Sequence, residues 1–159
     1  MHIKTKLTIL GAIPALGICA LAGMRIADDL EANLDSKRLT ALAEGAARLG
    51  RLLHETQKER GLSAAFLGSG GKDFSDKLTN QRLSVDAAIG DLNGFLNLEG
   101  DSLATAARGA FEQSLEHWQS LTDTRQRVDS QDWNVPKTVV WYTAGNRSML
   151  DCVGQLVHE

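Results

Sequence analysis

Leu52-Leu53-His54-Glu55-Thr56-Gln57-Lys58-Glu59-Arg60-Gly61-Leu62-Ser63-Ala64-Ala65-Phe66-Leu67-Gly68-Ser69-Gly70-Gly71 is the stretch whose reading decides the fold. It closes a long helical pattern and then stops it. Alternating steps of four and three from Leu42 give Leu42, Ala46, Leu49, Leu53, Thr56, Arg60, Ser63 and Leu67. Such a stripe is what a helix buries against its partners in a bundle. Its middle holds two hydroxyls, Thr56 and Ser63, about one turn either side of the Arg60 guanidinium. Gly68-Ser69-Gly70-Gly71 then ends the helix, because glycine adopts left-handed backbone cheaply and is a poor helix former.

The polar trio has two readings. Arginine can lay its stem on apolar surface and keep its head in water, and Thr and Ser can bond back to the preceding turn. Alternatively Arg60 faces the interior and waits for an anion, since an unpaired buried charge costs several kcal/mol. The planar guanidinium fork suits small planar oxyanions.

Outward from this stretch the same pattern repeats. A second helix is expected from Asp73 or Ser75, either of which can cap it, with the stripe Leu78, Arg82, Val85, Ile89, Leu92, Leu96. After a connection at 97–100, capped by Asp101 or Ser102, a third reads Ala104, Ala107, Phe111, Ser114, Trp118, Leu121, Arg125, Val128. After a connection at 130–134, Pro136 suits the first turn of a fourth, which reads Val139, Thr143, Asn146, Leu150, Val153, Val157. No strand-like alternation competes. The expected fold is all-α: an N-terminal transmembrane helix followed by an up-down-up-down helical bundle. The fourth stripe is still apolar at Val157 with no stop signal, so the chain reads as cut off, its bundle completed by a homodimer or by partner helices.

The membrane helix is read from Leu7–Met24, eighteen residues without a charge, preceded by Lys4 and Lys6. Pro14 is tolerated in such a helix. Cleavage after Ala20-Leu21-Ala22, or a lipoprotein box at Leu16-Gly17-Ile18-Cys19, are the alternatives. With the basic flank cytoplasmic, residues 1–25 form flank and span, and residues 26–159 form a domain outside the cytoplasm of a bacterial inner membrane.

Composition excludes several function classes. Hydrophobic residues at 43% and charged residues at 23% fit a globular chain. A net charge of −3 and the lack of any recognition motif argue against nucleic acid. Cys19 and Cys152 form no C-x-x-C, and with Cys19 in an apolar run a disulfide between them is not expected. Gly68–Asp73 lacks the spacing of a phosphate loop, and His2, His54, His117 and His158 show no metal spacing. No cofactor, metal or catalytic residue is expected. Arg82 and Arg125 repeat the oddity of Arg60; local pairing with Asp86 and Asp123 is the bland account of each. Trp118, Trp133, Trp141 and Tyr142 read as core and loop anchors rather than as a ligand cage.

The run from Leu52 to Ala65, centred on Gln57-Lys58-Glu59-Arg60-Gly61, resembles the opening motif of the nitrate- and nitrite-sensing domain family. Gln81-Arg82 with Asp86, and Trp141-Tyr142-Thr143, resemble its later patterns, so that the likeness spans roughly residue 43 to the end. The resemblance implies an all-helical, extracytoplasmic sensor domain of bacterial chemoreceptors and histidine kinases, not an enzyme. It also implies nitrate or nitrite as ligand and Arg60 as its contact. The family's domain is longer, described as paired helical bundles, of which this chain supplies about the first. The expected site is Arg60 on the anion, with Thr56 and Ser63 donating to it and Arg82 reaching it from the facing helix. A bundle that binds no ligand and serves structure or protein interaction is the rival, in which Arg60 is exposed or paired to Glu55, Glu59 or Asp86.

Overall fold

A computed structural model describes the backbone of residues 3–156 and the side chains of Asn33 and of residues 35–156. Five α-helices follow in order: α1 (Ile3–Gly68), α2 (Ser75–Glu99), α3 (Thr105–Glu116), α4 (Leu121–Asp129) and α5 (Val135–Leu156). A 3-10 turn, His117–Ser120, joins α3 to α4, so the two make one arm. No strand occurs among the described residues. The chain divides into two units, Met1–Leu39 and Thr40–Glu159. The first carries the N-terminal part of α1. The expected span Leu7–Met24 and Cys19 lie outside the residues whose side chains are described. Among the described residues no helix is long and apolar enough to cross a membrane.

The second unit is a four-armed bundle. Thr56 meets Asn146 while Glu59 meets Tyr142, so α5 runs antiparallel to α1. Arg82 meets Asp129 while Asp86 meets Arg125, so α4 runs antiparallel to α2. Arg48 and Arg51 reach Asp91 while Glu55 meets Gln81, which sets α2 antiparallel to α1. The topology is therefore up-down-up-down. The core is built from Leu49 and Leu52 of α1, Val85, Leu92 and Phe95 of α2, Phe111 and Trp118 of the third arm, and Tyr142 and Met149 of α5. Gly45 permits close packing there, because a Cβ would stand 2.7 Å from the Phe111 ring.

The stripe α1 buries keeps Leu49, Thr56 and Ser63 of the sequence reading and shifts the alternate positions back by one residue. Ala41, Leu49, Leu52, Thr56, Glu59, Ser63 and Phe66 are buried, while Leu42, Leu53, Arg60 and Leu67 flank them half-exposed. On α5 the buried set is Thr138, Tyr142, Gly145, Asn146, Met149, Cys152 and Leu156, leaving Thr143, Leu150 and Val153 exposed. The third arm follows its expected stripe through Ala107, Phe111, Ser114, Trp118, Leu121 and Val128.

The ends of the helices explain themselves locally. Gly71 N–H donates to Phe66 C=O and Gly70 N–H to Leu67 C=O, both at 3.0 Å, with Gly70 at φ 65. That is a Schellman ending, and it needs the left-handed residue that glycine supplies. Neither Asp73 nor Ser75 caps α2. The residue before it is Phe74 at φ 70, and the Asp73 N–H is taken by the Ser69 hydroxyl at 3.0 Å. Likewise neither Asp101 nor Ser102 caps α3: both lie in a 3-10 turn, and the chain extends at Leu103, which is drawn into the core, before α3 starts from Ala104. Asn134 does cap α5, its Oδ1 accepting from Lys137 N–H at 3.0 Å, with Pro136 in the first turn.

His117 packs on Trp141, ring centroids 4.3 Å apart, and on Gly145. Burial lowers its pKa, partly offset by the Trp141 backbone. Because the folded value lies below the unfolded one, the unfolded chain binds more protons on the acid side. Stability is complete above the ordinary histidine value of about 6.5 and declines as pH falls below it toward the folded value. The melting temperature should therefore drop on acidification from neutrality, and His117→Gln should flatten part of that drop. An identical slope in the variant would show that other groups cause it.

Candidate functional site

The centre of the bundle is charged, and its hub is Glu59. The side chain has no exposed surface. Arg125 grips it with two parallel hydrogen bonds, Nε to Oε1 at 2.7 Å and Nη2 to Oε2 at 2.8 Å. The Tyr142 hydroxyl donates to Oε1 at 2.7 Å, and Arg82 Nε stands 3.9 Å from the same oxygen. Each arginine is held in turn from outside. Arg125 donates to Asp86 at 2.6 Å and to the Arg82 carbonyl. Arg82 makes a two-pronged pair with Asp129, both bonds 2.8 Å. Thus α1, α2, α4 and α5 meet at one polar layer, in which three carboxylates answer two guanidinium groups. Charge-assisted, forked bonds of this kind are the strong ones, and burial raises the cost of losing any of them.

The titrating groups record the same layer. Burial alone would lower the Arg125 pKa, but its bonds to Glu59, and then its attraction to Asp86, outweigh that and hold it above the ordinary value. Burial, then the charge of Glu59, pushes the Tyr142 phenol up, so it stays protonated as the donor. Burial also pushes the Cys152 thiol up to about 11.

Arg60 is the neighbour of Glu59 and turns away from this layer. It lies half-buried between α1 and α5, and its Nη1 donates to Thr143 Oγ1 at 3.1 Å. Thr143 passes its own proton to the Val139 carbonyl at 2.7 Å. Among the described residues Arg60 enters no ion pair. So neither Glu55, Glu59 nor Asp86 takes it: Glu55 serves Lys58 and Gln81, Glu59 serves Arg125, and Asp86 serves Arg125.

The other expected site residues fall on either side. Ser63 and Thr56 are fully buried. The Ser63 hydroxyl stands beside Tyr142, where it opposes the rise of the phenol, but no hydrogen bond of good geometry satisfies it. Thr56 Oγ1 is within 3.0 Å of the Leu52 and Leu53 carbonyls and 2.7 Å from Asn146 Oδ1. One hydroxyl proton cannot serve three acceptors, so the amide is better turned, with Asn146 Nδ2 donating to the threonine. Arg82 is committed to Asp129. The expected local pairs therefore do not form: Asp86 goes to Arg125, and Asp123 goes to Arg127 at 2.9 Å. The sequence reading missed the hub role of Glu59 and the donor role of Tyr142. A stripe begun one residue earlier would have found both.

Comparison with known proteins rests on one result. The family model described as nitrate and nitrite sensing matches residues 51–159, which includes the whole polar layer and the Arg60–Thr143 pair. No curated protein and no solved structure matches the chain. A match over that much of the sequence, on an all-helical bundle whose whole central layer falls within the matched residues, makes the chain a member of the nitrate and nitrite sensing family, a family of sensory rather than enzymatic domains.

Proposed function

We propose that the bundle binds nitrate or nitrite at Arg60 and reports it as the input domain of a membrane-anchored bacterial signalling protein, with residues 26–159 outside the cytoplasm. One observation carries the reading. Of the three arginines on the expected stripes, Arg82 and Arg125 are saturated by carboxylates, and Arg60 has only a neutral hydroxyl as partner. A trigonal oxyanion fits across a guanidinium fork with paired hydrogen bonds, and Thr143 would contact it by turning its proton from the Val139 carbonyl to the anion. Ser63, one turn along α1, carries an unsatisfied hydroxyl, buried beside Tyr142 on the inner side of the helix. Thr56 and Arg82 act from behind, fixing α5 and α2 against α1. The negative Glu59 layer keeps the anion at this flank and out of the core. Anchoring is supported by the uncharged run Leu7–Met24 behind Lys4 and Lys6.

A second reading has an observation of its own. Val140, Leu150 and Val153 are exposed on α5, so a second copy or partner helices against that helix would make the bundle an interaction module without a ligand.

Melting curves in nitrate, nitrite and chloride decide between them. Nitrate should raise the wild-type melting temperature in proportion to ln(1 + [L]/Kd), and Arg60→Ala should remove the response while leaving the fold intact. Arg60→Lys should bind at least tenfold more weakly, since a point charge cannot reproduce the fork. Equal shifts in wild type and Arg60→Ala would mark nitrate as a generic salt and leave the interaction module.

A further inference from the structure

We propose that the cleft between α3 and α5 is a separate ligand site, one that takes a small zwitterion of the α-amino acid class. A cavity of about 300 Å³ opens there, between Ala110, Gln113 and Ser114 of α3 and the α5 residues from Ala144 to Gln155, with Arg147 one turn after Thr143. Ala110 and Ala144 keep it open, and Arg147, Asp151, Gln113 and Gln155 line it. Arg147 and Asp151 stand four residues apart on α5, about 6 Å along the axis. Arginine and carboxylate at that spacing normally pair. In this chain Arg48–Glu44, Arg108–Glu112 and Arg127–Asp123 do so, at 2.9–3.0 Å.

The helical pairs that stay open are otherwise engaged. Arg51 has Asp91 while Glu55 has Lys58, Arg82 has Asp129 while Asp86 has Arg125, and Arg125 has Glu59 while Asp129 has Arg82. Arg147 and Asp151 are the one such helical pair, among the described residues, in which neither member has any ion pair or hydrogen bond. Gln113, Gln155 and Ser148 beside them are equally unengaged, although Ser114, Thr138 and Thr143 nearby bond back to their own helices.

The chemistry of the lining selects the ligand. One cation and one anion at the mouth leave the cleft formally neutral, so a simple anion that gains Arg147 meets Asp151, and a simple cation the reverse. A molecule with a carboxylate and an ammonium a few ångströms apart answers both charges. The neutral amides of Gln113 and Gln155 and the Ser148 hydroxyl are left for its side chain. The cavity holds a molecule of amino-acid size, while nitrate would fill a small part of it. Nothing in this assignment depends on Arg60.

The test is a thermal-shift screen of the full chain against the twenty standard L-amino acids, with calorimetric titration of the best responder. At least one should stabilise the protein at millimolar concentration. Its N-acetyl derivative, which lacks the ammonium, and its amide, which lacks the carboxylate, should each bind at least tenfold more weakly. Arg147→Gln and Asp151→Asn lie on the surface and should fold as wild type, checked by their melting curves without ligand. Each should weaken binding at least tenfold. No response to any of the twenty, equal response to the blocked derivatives, or wild-type binding by both variants would overturn the proposal. Nitrate titration is a separate readout, so failure here leaves the Arg60 reading untouched, and the reverse.

Discussion

Glu59→Ala is expected to cost about 3–5 kcal/mol, a large part of the roughly 5–15 kcal/mol that holds a domain folded. The reason is not the lost bonds alone. Removing the carboxylate leaves Arg125 and Arg82, with side chains only 13% and 16% exposed, facing a void with the charge between them gone. It also strands the Tyr142 hydroxyl, which donates only to Glu59. Replacing both ends of the main pair is a different matter. Glu59→Met with Arg125→Met removes the two charges together and fills the volume with apolar atoms, so the double variant should recover much of the loss. Urea unfolding of the two single variants and the double measures the coupling. A cost below about 1 kcal/mol for Glu59→Ala would show that the layer does not hold the arms together.

Gly145→Val is expected to cost about 3 kcal/mol, near the upper end for overpacking. A Cβ on Gly145 would stand 2.6 Å from the Trp118 ring and would meet the His117 ring as well. Neither ring has room to swing clear: His117 packs tilted against Trp141, and Trp118 lies edge-on to Trp141 with centroids 5.5 Å apart. The α5 backbone would have to move off the third arm. Gly154, on the same helix, has nothing within 4 Å of a built Cβ, and Gly154→Ala there should stabilise by up to about 1 kcal/mol through helix propensity. Thermal melts of both variants check the contrast. Two equal changes would mean that the close approach at Gly145 relaxes without cost.

The number of arms, their order, their connections and the stop at Gly68–Gly71 were legible, because each depends on local chemistry: apolar spacing, a glycine in left-handed backbone, a proline in a first turn. The face of α5, and every second position of the α1 stripe, was read one residue late, and the cause is physical. Leu52 and Leu53 are adjacent leucines, along the fourth stripe Met149-Leu150, Cys152-Val153 and Leu156-Val157 are adjacent apolar pairs, and a stripe of bundle width takes in more than two positions per heptad, so both registers score as apolar. At 59–60 the choice lay between a glutamate and an arginine, and neither belongs inside by hydrophobicity. What draws Glu59 in is a set of partners on three other helices, Arg125, Arg82 and Tyr142. Their convergence is a property of the packed fold and leaves no trace in the spacing along α1. The same one-residue error hid Tyr142 behind Thr143 and placed Arg60 in the core. Capping failed for a related reason: Leu103 and the Ser69 turn take over the chain ends that Asp101 and Asp73 were expected to serve.

The layer around Glu59 also sets how this part of α1 can move. Sliding the helix by one turn, about 5.4 Å, would carry the carboxylate away from Arg125 and Tyr142 and put a hydroxyl in its place, so translation is blocked by several kcal/mol. Mechanically the layer is a fulcrum. Arg60 is the very next residue, so a pull on its guanidinium acts at the pivot itself, with almost no lever arm for tilting or lifting the helix. The two side chains are set about 100° apart around the helix axis. A force at Arg60 is therefore off-axis and becomes torque: it twists α1 about its own length.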